Sequence, residues 1–160
     1  MSHAQPGPST GGFTIEAGEV TVHAHSGQHN LTTLGAGDAE SYELSRATAT
    51  VIHARDLMRS LGYPQLRPSP LKCDASSSVK KAESATSNKR SLYIMRRIVF
   101  TQRAQIAGHI GVSHTPGDKN RADILTKPLS KVLYERLRDV IMNVRVAAAY
   151  IHSLVAWQIP

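Results

Sequence analysis

Thr115-Pro116-Gly117-Asp118-Lys119-Asn120-Arg121-Ala122-Asp123-Ile124-Leu125-Thr126-Lys127-Pro128-Leu129 is the stretch from which the rest of the chain is best read. Pro116-Gly117-Asp118 turns the backbone, residues near Asn120 to Thr126 start a helix, and Pro128 stops or kinks it. Ahead of the turn, Ile106 to His114 alternates like a strand. Beyond Pro128, Ser130 to Val144 is amphipathic, with Val132, Leu133, Leu137, Val140 and Ile141 as its apolar positions.

Working outward toward the N-terminus, a helix is predicted from about Lys89 to Gln105, with Leu92, Met95 and Val99 on one face. Ser76-Ser77-Ser78 is an N-cap cluster for a shorter helix. Leu71 to Asp74 is a short strand, and Pro64 to Pro70 a stiff linker. From about Asp38 to Leu61 the apolar residues Leu44, Ala47, Val51, Ala54, Met58 and Leu61 recur at spacings of three and four, which predicts a helix ended by Gly62 and Pro64. Gly12 to Glu16 and Glu19 to Ala24 alternate apolar and polar around Ala17-Gly18, a hairpin pattern. Ser26 to Asn30 reads as loop and residues 1–10 as disordered. The order β-β-α-β-α-α-β-α is that of an α/β domain with an antiparallel two-stranded start.

The 160 residues suffice for one domain with a core. A formal charge of +7 favours polyanionic partners, nucleic acid first. Cys73 is the single cysteine, which rules out an internal disulfide and fits an intracellular setting, cytoplasm and nucleus being indistinguishable. Its neighbours suggest a packed thiol. Met1 to Thr10 has no apolar core of a signal peptide. The apolar tail Val144 to Pro160 is broken by Arg145, His152 and Gln158, so no membrane-spanning helix and no membrane partner are expected.

Taken singly, Glu40 and Asp123 suit the first turns of helices, where the backbone dipole favours a carboxylate. Asp74 ends a short strand, the place where α/β sheets keep ligand-binding groups. As a set they admit another reading. Hydrolysis of a phosphodiester by two metal ions about 4 Å apart needs hard oxygen ligands, and crowded carboxylates are tolerated only with cations between them. Lys80, Lys81, Lys89, Arg90, Arg96, Arg97 and Arg103 form a basic cluster that could follow a phosphate backbone or simply face solvent. The histidines lack zinc spacing.

Ala122-Asp123-Ile124-Leu125-Thr126-Lys127-Pro128-Leu129 resembles the C-terminal signature of the ribonuclease H domain in copia-type retrotransposon Pol polyproteins. Asp38-Ala39-Glu40-Ser41-Tyr42-Glu43-Leu44-Ser45 is similar to the segment opening that family's first helix. Cys73-Asp74-Ala75-Ser76-Ser77-Ser78 is similar to its strand-end Cys-Asp motif, although Ala75 and Ser76 replace the usual Asn and Gln. Lys89 to Arg96 is similar in spacing to a later helix. The resemblance spans most of residues 11–143 and leaves 144–160 as a divergent tail.

It implies a ribonuclease H-like mixed sheet flanked by helices, with Glu40, Asp74 and Asp123 as catalytic metal ligands for Mg²⁺ or Mn²⁺. The implied activity is hydrolysis of RNA in RNA–DNA hybrids. His114, nine residues before Asp123, stands near where related enzymes carry a His that assists product release; a solvated strand-end His is the alternative, and His109 shares the question. The family's first catalytic Asp lies in a strand preceding the Gly-bearing hairpin, and none of the ten residues before Gly11 is acidic. The resemblance therefore implies a chain lacking the first central strand, inactive by itself unless an upstream reverse transcriptase region or another chain supplies that strand. The other readings are a non-catalytic nucleic-acid-binding module and a decayed retroelement fragment.

Overall fold

The computed structural model describes residues 10–28, 36–74 and 92–144. Their order is β1 (Thr10–Ala17), β2 (Val20–Gln28), α1 (Ala36–Ser60), β3 (Ser69–Cys73), α2 (Leu92–Ile106), β4 (Ile110–His114), 3-10 turns at Gly117–Lys119 and Arg121–Leu125, and α3 (Lys131–Ile141). The fold is mixed α/β. Its described strands form two two-stranded sheets, β1 with β2 and β3 with β4. The chain divides into two compact units, one of Met1–Gly11 with Gln28–Asn120, the other of Gly12–Gly27 with Arg121–Pro160.

In the first unit β3 and β4 are parallel, with Leu71 opposite Val112 and Cys73 opposite His114. A parallel pair needs a long crossover, and α2 lies within it. Leu71 and Ile110 are buried on this pair, and Leu44, Ala47 and Val51 of α1 and Ile94 and Ala104 of α2 complete the core. Both helices end alike. Gly62 (φ 87°) lets its own N–H bond Arg59 O and that of Tyr63 bond Met58 O, while Gly108 (φ 73°) does the same through Gln105 O and, via His109, Ala104 O. This paired closure needs a left-handed residue, which glycine adopts without steric cost.

The buried face of α1 is more polar than its apolar stripe suggests. Ser41, Ser45 and Thr48 are buried, and each hydroxyl donates to a carbonyl of the preceding turn: Gly37 O at 2.7 Å, Tyr42 O at 2.8 Å and Leu44 O at 2.8 Å. A hydroxyl satisfied within its own helix can enter a core at small cost. Arg55 is also buried. Its guanidinium donates to Gln65 O (2.7 Å), Arg67 O (2.8 Å) and Ser69 Oγ (2.9 Å). It thereby ties the end of α1 to the start of β3.

In the second unit Gly18 (φ 63°) makes the turn between β1 and β2. The hairpin meets the segment after Asn120 through Ser26 Oγ, which donates to Leu125 O at 2.7 Å, and through an Arg121–Glu16 ion pair at 2.7 Å. A Cβ on Gly12 would stand 2.7 Å from His25 O and 3.0 Å from Thr126 Cγ2. Leu137 of α3 is buried. Asn143, itself at φ 55°, accepts from Thr21 N–H at 2.8 Å and donates to Thr21 O at 3.1 Å.

Several expected boundaries move. Residues 121–125 form a 3-10 turn in place of the expected α-helix, and the strand before them starts at Ile110, after the Gly108 closure of α2. Ser26 to Gln28 belong to β2. The Leu92 and Val99 face of α2 points outward, at 78% and 37% exposure, and the buried positions are Ile94, Thr101 and Ala104. Leu61 and Val132 are likewise exposed. Of residues 1–10, expected to be disordered, Thr10 opens β1; residues 1–9, the end of the Ser26–Asn30 loop, the Ser76–Ser78 cap and the 145–160 tail lie outside the described residues. No described helix is long and apolar enough to cross a membrane.

Candidate functional site

Arg55 of α1 is bonded to Ser69, the first residue of β3, across the loop that follows Ser60. Glu40 lies in the first turns of α1 and Asp74 just past β3. Both carboxylate residues are half-buried.

His114 ends β4 beside Asp74. Its Nε2 lies 3.2 Å from Asp74 O, and its backbone is level with Cys73 in the parallel register. A Nε2–H tautomer would donate to that carbonyl and leave Nδ1 as the acceptor. Cys73 is half-buried.

Asp123 belongs to the second unit, in the 3-10 turn Arg121–Leu125, and is buried. Lys127, one turn on, places Nζ 3.0 Å from Oδ1 and 3.1 Å from Oδ2. The backbone N–H groups of Thr126 and Lys127 bond Asp123 O. The Asp-x-x-x-Lys spacing of the signature is thereby an ion pair folded over a tight turn. Among the described residues, no three of His, Cys, Asp and Glu gather as a set able to hold a metal ion.

Of the basic cluster, Lys80, Lys81, Lys89 and Arg90 lie outside the described residues. Arg96 and Arg103 are exposed on α2. Arg97 turns inward: its guanidinium lies 4.1 Å over the Tyr42 ring and 4.6 Å over that of Tyr93, and donates to Ser45 Oγ at 3.0 Å and to the Tyr93 hydroxyl. Arg46 lies 5.8 Å from the centre of the Tyr42 ring and ion-pairs with Glu43 at 3.3 Å.

Beside Arg97, α1 and α2 leave a groove of about 320 Å³ lined by Arg46, Ala49, Tyr93, Arg96 and Phe100. Tyr42, Tyr93 and Phe100 are not among the residues that the sequence singles out. Their signal was the spacing Tyr42–Arg46 and Tyr93–Arg97–Phe100, which sets aromatic and cationic side chains on one helical face. No family model, curated protein or solved structure matches this chain.

Proposed function

We propose that this chain is a ribonuclease H-like nucleic-acid domain of copia-type retroelement descent, whose ancestral reaction is metal-dependent hydrolysis of RNA in RNA–DNA hybrids. The observation that carries this reading is the place of Asp74, just past the carboxyl end of a parallel strand pair and beside His114. Open α/β sheets collect polar ligands at that edge. Asp74, with the Glu40 that the resemblance adds, could take hard cations such as Mg²⁺ or Mn²⁺, which would polarise the phosphate and lower the pKa of an attacking water. Asp123 is the third carboxylate that the resemblance implies, and within its own unit it is ion-paired with Lys127.

The Lys127–Asp123 pair also favours a second reading. A carboxylate already compensated by an ammonium, in a chain whose described residues assemble no metal set, suits a domain that binds nucleic acid without cutting it. Its charge of +7 would supply the attraction.

Labelled RNA–DNA hybrid with Mg²⁺ or Mn²⁺ tests both. The chain alone is expected to bind hybrid at low salt without appreciable cleavage. Fused to an upstream strand bearing an Asp, it is expected to cleave, and Glu40→Gln with Asp74→Asn to abolish that cleavage. Binding with no cleavage by the fusion selects the second reading. Absence of binding to hybrid by a folded chain rejects both.

A further inference from the structure

We infer that the groove between α1 and α2 is a binding site for an unpaired nucleotide, its base stacked on Phe100 and its phosphates held by Arg96 and Arg46. Three features specify that ligand. Phe100 is 41% exposed and Tyr93 42%, and each lines the groove. Their rings offer an apolar surface that any base can cover. Arg96 stands exposed at the rim, and Arg46 and Arg97 line the same space.

Arg97 is the fixed part of this arrangement. Held against Tyr42 and Tyr93 and bonded to Ser45 Oγ, it keeps a positive charge in the wall without a flexible side chain to order on binding. That immobility lowers the entropic cost of capture. Arg46 is less rigid, since its partner Glu43 is one turn away on α1 and the pair is partly exposed, so a phosphate could compete for it.

The volume of about 320 Å³ is at the small end of ligand clefts and has room for one base. A paired duplex keeps its bases stacked inside and could bring only its backbone to this surface. An acidic peptide would satisfy the arginines but leave the apolar floor of Ala49 and Phe100 uncovered. An unpaired nucleotide uses both.

The site owes nothing to the carboxylates, so it is tested in EDTA, where failure here leaves the reading of Glu40 and Asp74 untouched. Anisotropy of labelled oligo-dT and of a blunt duplex is followed for the full chain and for Phe100→Ala, Phe100→Trp and Arg96→Ala, with circular dichroism as the check on folding. Oligo-dT is expected to bind more tightly than duplex. Phe100→Ala should weaken oligo-dT by about tenfold or more, the range for loss of one stacked base, with duplex binding unchanged and Phe100→Trp near the parent. Arg96→Ala should lower the salt dependence of oligo-dT binding by about one counterion. Equal affinity for the two DNAs, insensitivity of oligo-dT to both Phe100 substitutions, or equally effective displacement by polyglutamate would overturn the proposal.

Discussion

Arg97 shows how a half-buried cation can be held by aromatic rings and hydroxyls. Its planar cation lies over both Tyr42 and Tyr93, whose rings are themselves 6.4 Å apart at 27°, and two of its nitrogens donate to hydroxyls. Lysine has neither the plane nor the fork. Arg97→Lys is expected to lower stability by about 1–2 kcal/mol, measured by urea unfolding. Arg55 is a stricter case, because its acceptors are the carbonyls of Gln65 and Arg67, in the loop ahead of β3. Arg55→Leu should cost about 2–4 kcal/mol, more than a surface arginine would, and Arg55→Lys should recover part of it. A result under about 0.5 kcal/mol for Arg55→Leu would mean that water replaces the guanidinium.

At the scale of elements, the hairpin of the second unit depends on two close fits. Gly12 has no room for a methyl group against His25 O, so Gly12→Ala should destabilise the protein by about 1–3 kcal/mol in thermal unfolding. Asn143 acts toward Thr21 as a neighbouring strand would, offering one acceptor and one donor to its backbone. Asn143→Asp keeps the acceptor but sets a carboxylate oxygen against Thr21 O. The expected loss is about 1–3 kcal/mol and, since protonation restores a donor, it should shrink as pH falls below about 4.

These elements also mark what could be read from sequence. The hairpin, α1, the short strand at Leu71, α2 and α3 are legible because period and punctuation agree, Gly62 above all. The phase of the helices is less so. Ser41, Ser45, Thr48 and Arg55 count as polar in any hydropathy pattern, yet local carbonyls satisfy them and let them turn inward, while Leu92 and Val99 face out. Gly108 sits inside an apparent alternating strand but closes a helix. For the candidate site, sequence located Glu40 and Asp74 at element ends but did not foresee Lys127 on Asp123. It also missed the aromatic groove, because an arginine held by two tyrosines is visible only once two helices, far apart in the chain, are packed together.

At the scale of the molecule, the two units are unequal in construction. Residues 28–120 supply nearly all of the first unit's described elements, so that segment alone is expected to unfold cooperatively with the helical circular dichroism of α1 and α2. A featureless melt would show that the hairpin or α3 is needed to hold it. The second unit joins residues 99 and 122 positions apart, as in Ser26 with Leu125 and Thr21 with Asn143. On a ribosome adding about 5–20 residues per second, roughly 5–20 s separate the emergence of the hairpin from that of its partners. During that interval the first unit can be completed while β1 and β2 wait. Through that interval the hairpin lacks the bonds to Leu125 and Asn143, so the rate of synthesis sets how long those groups stay open to other partners.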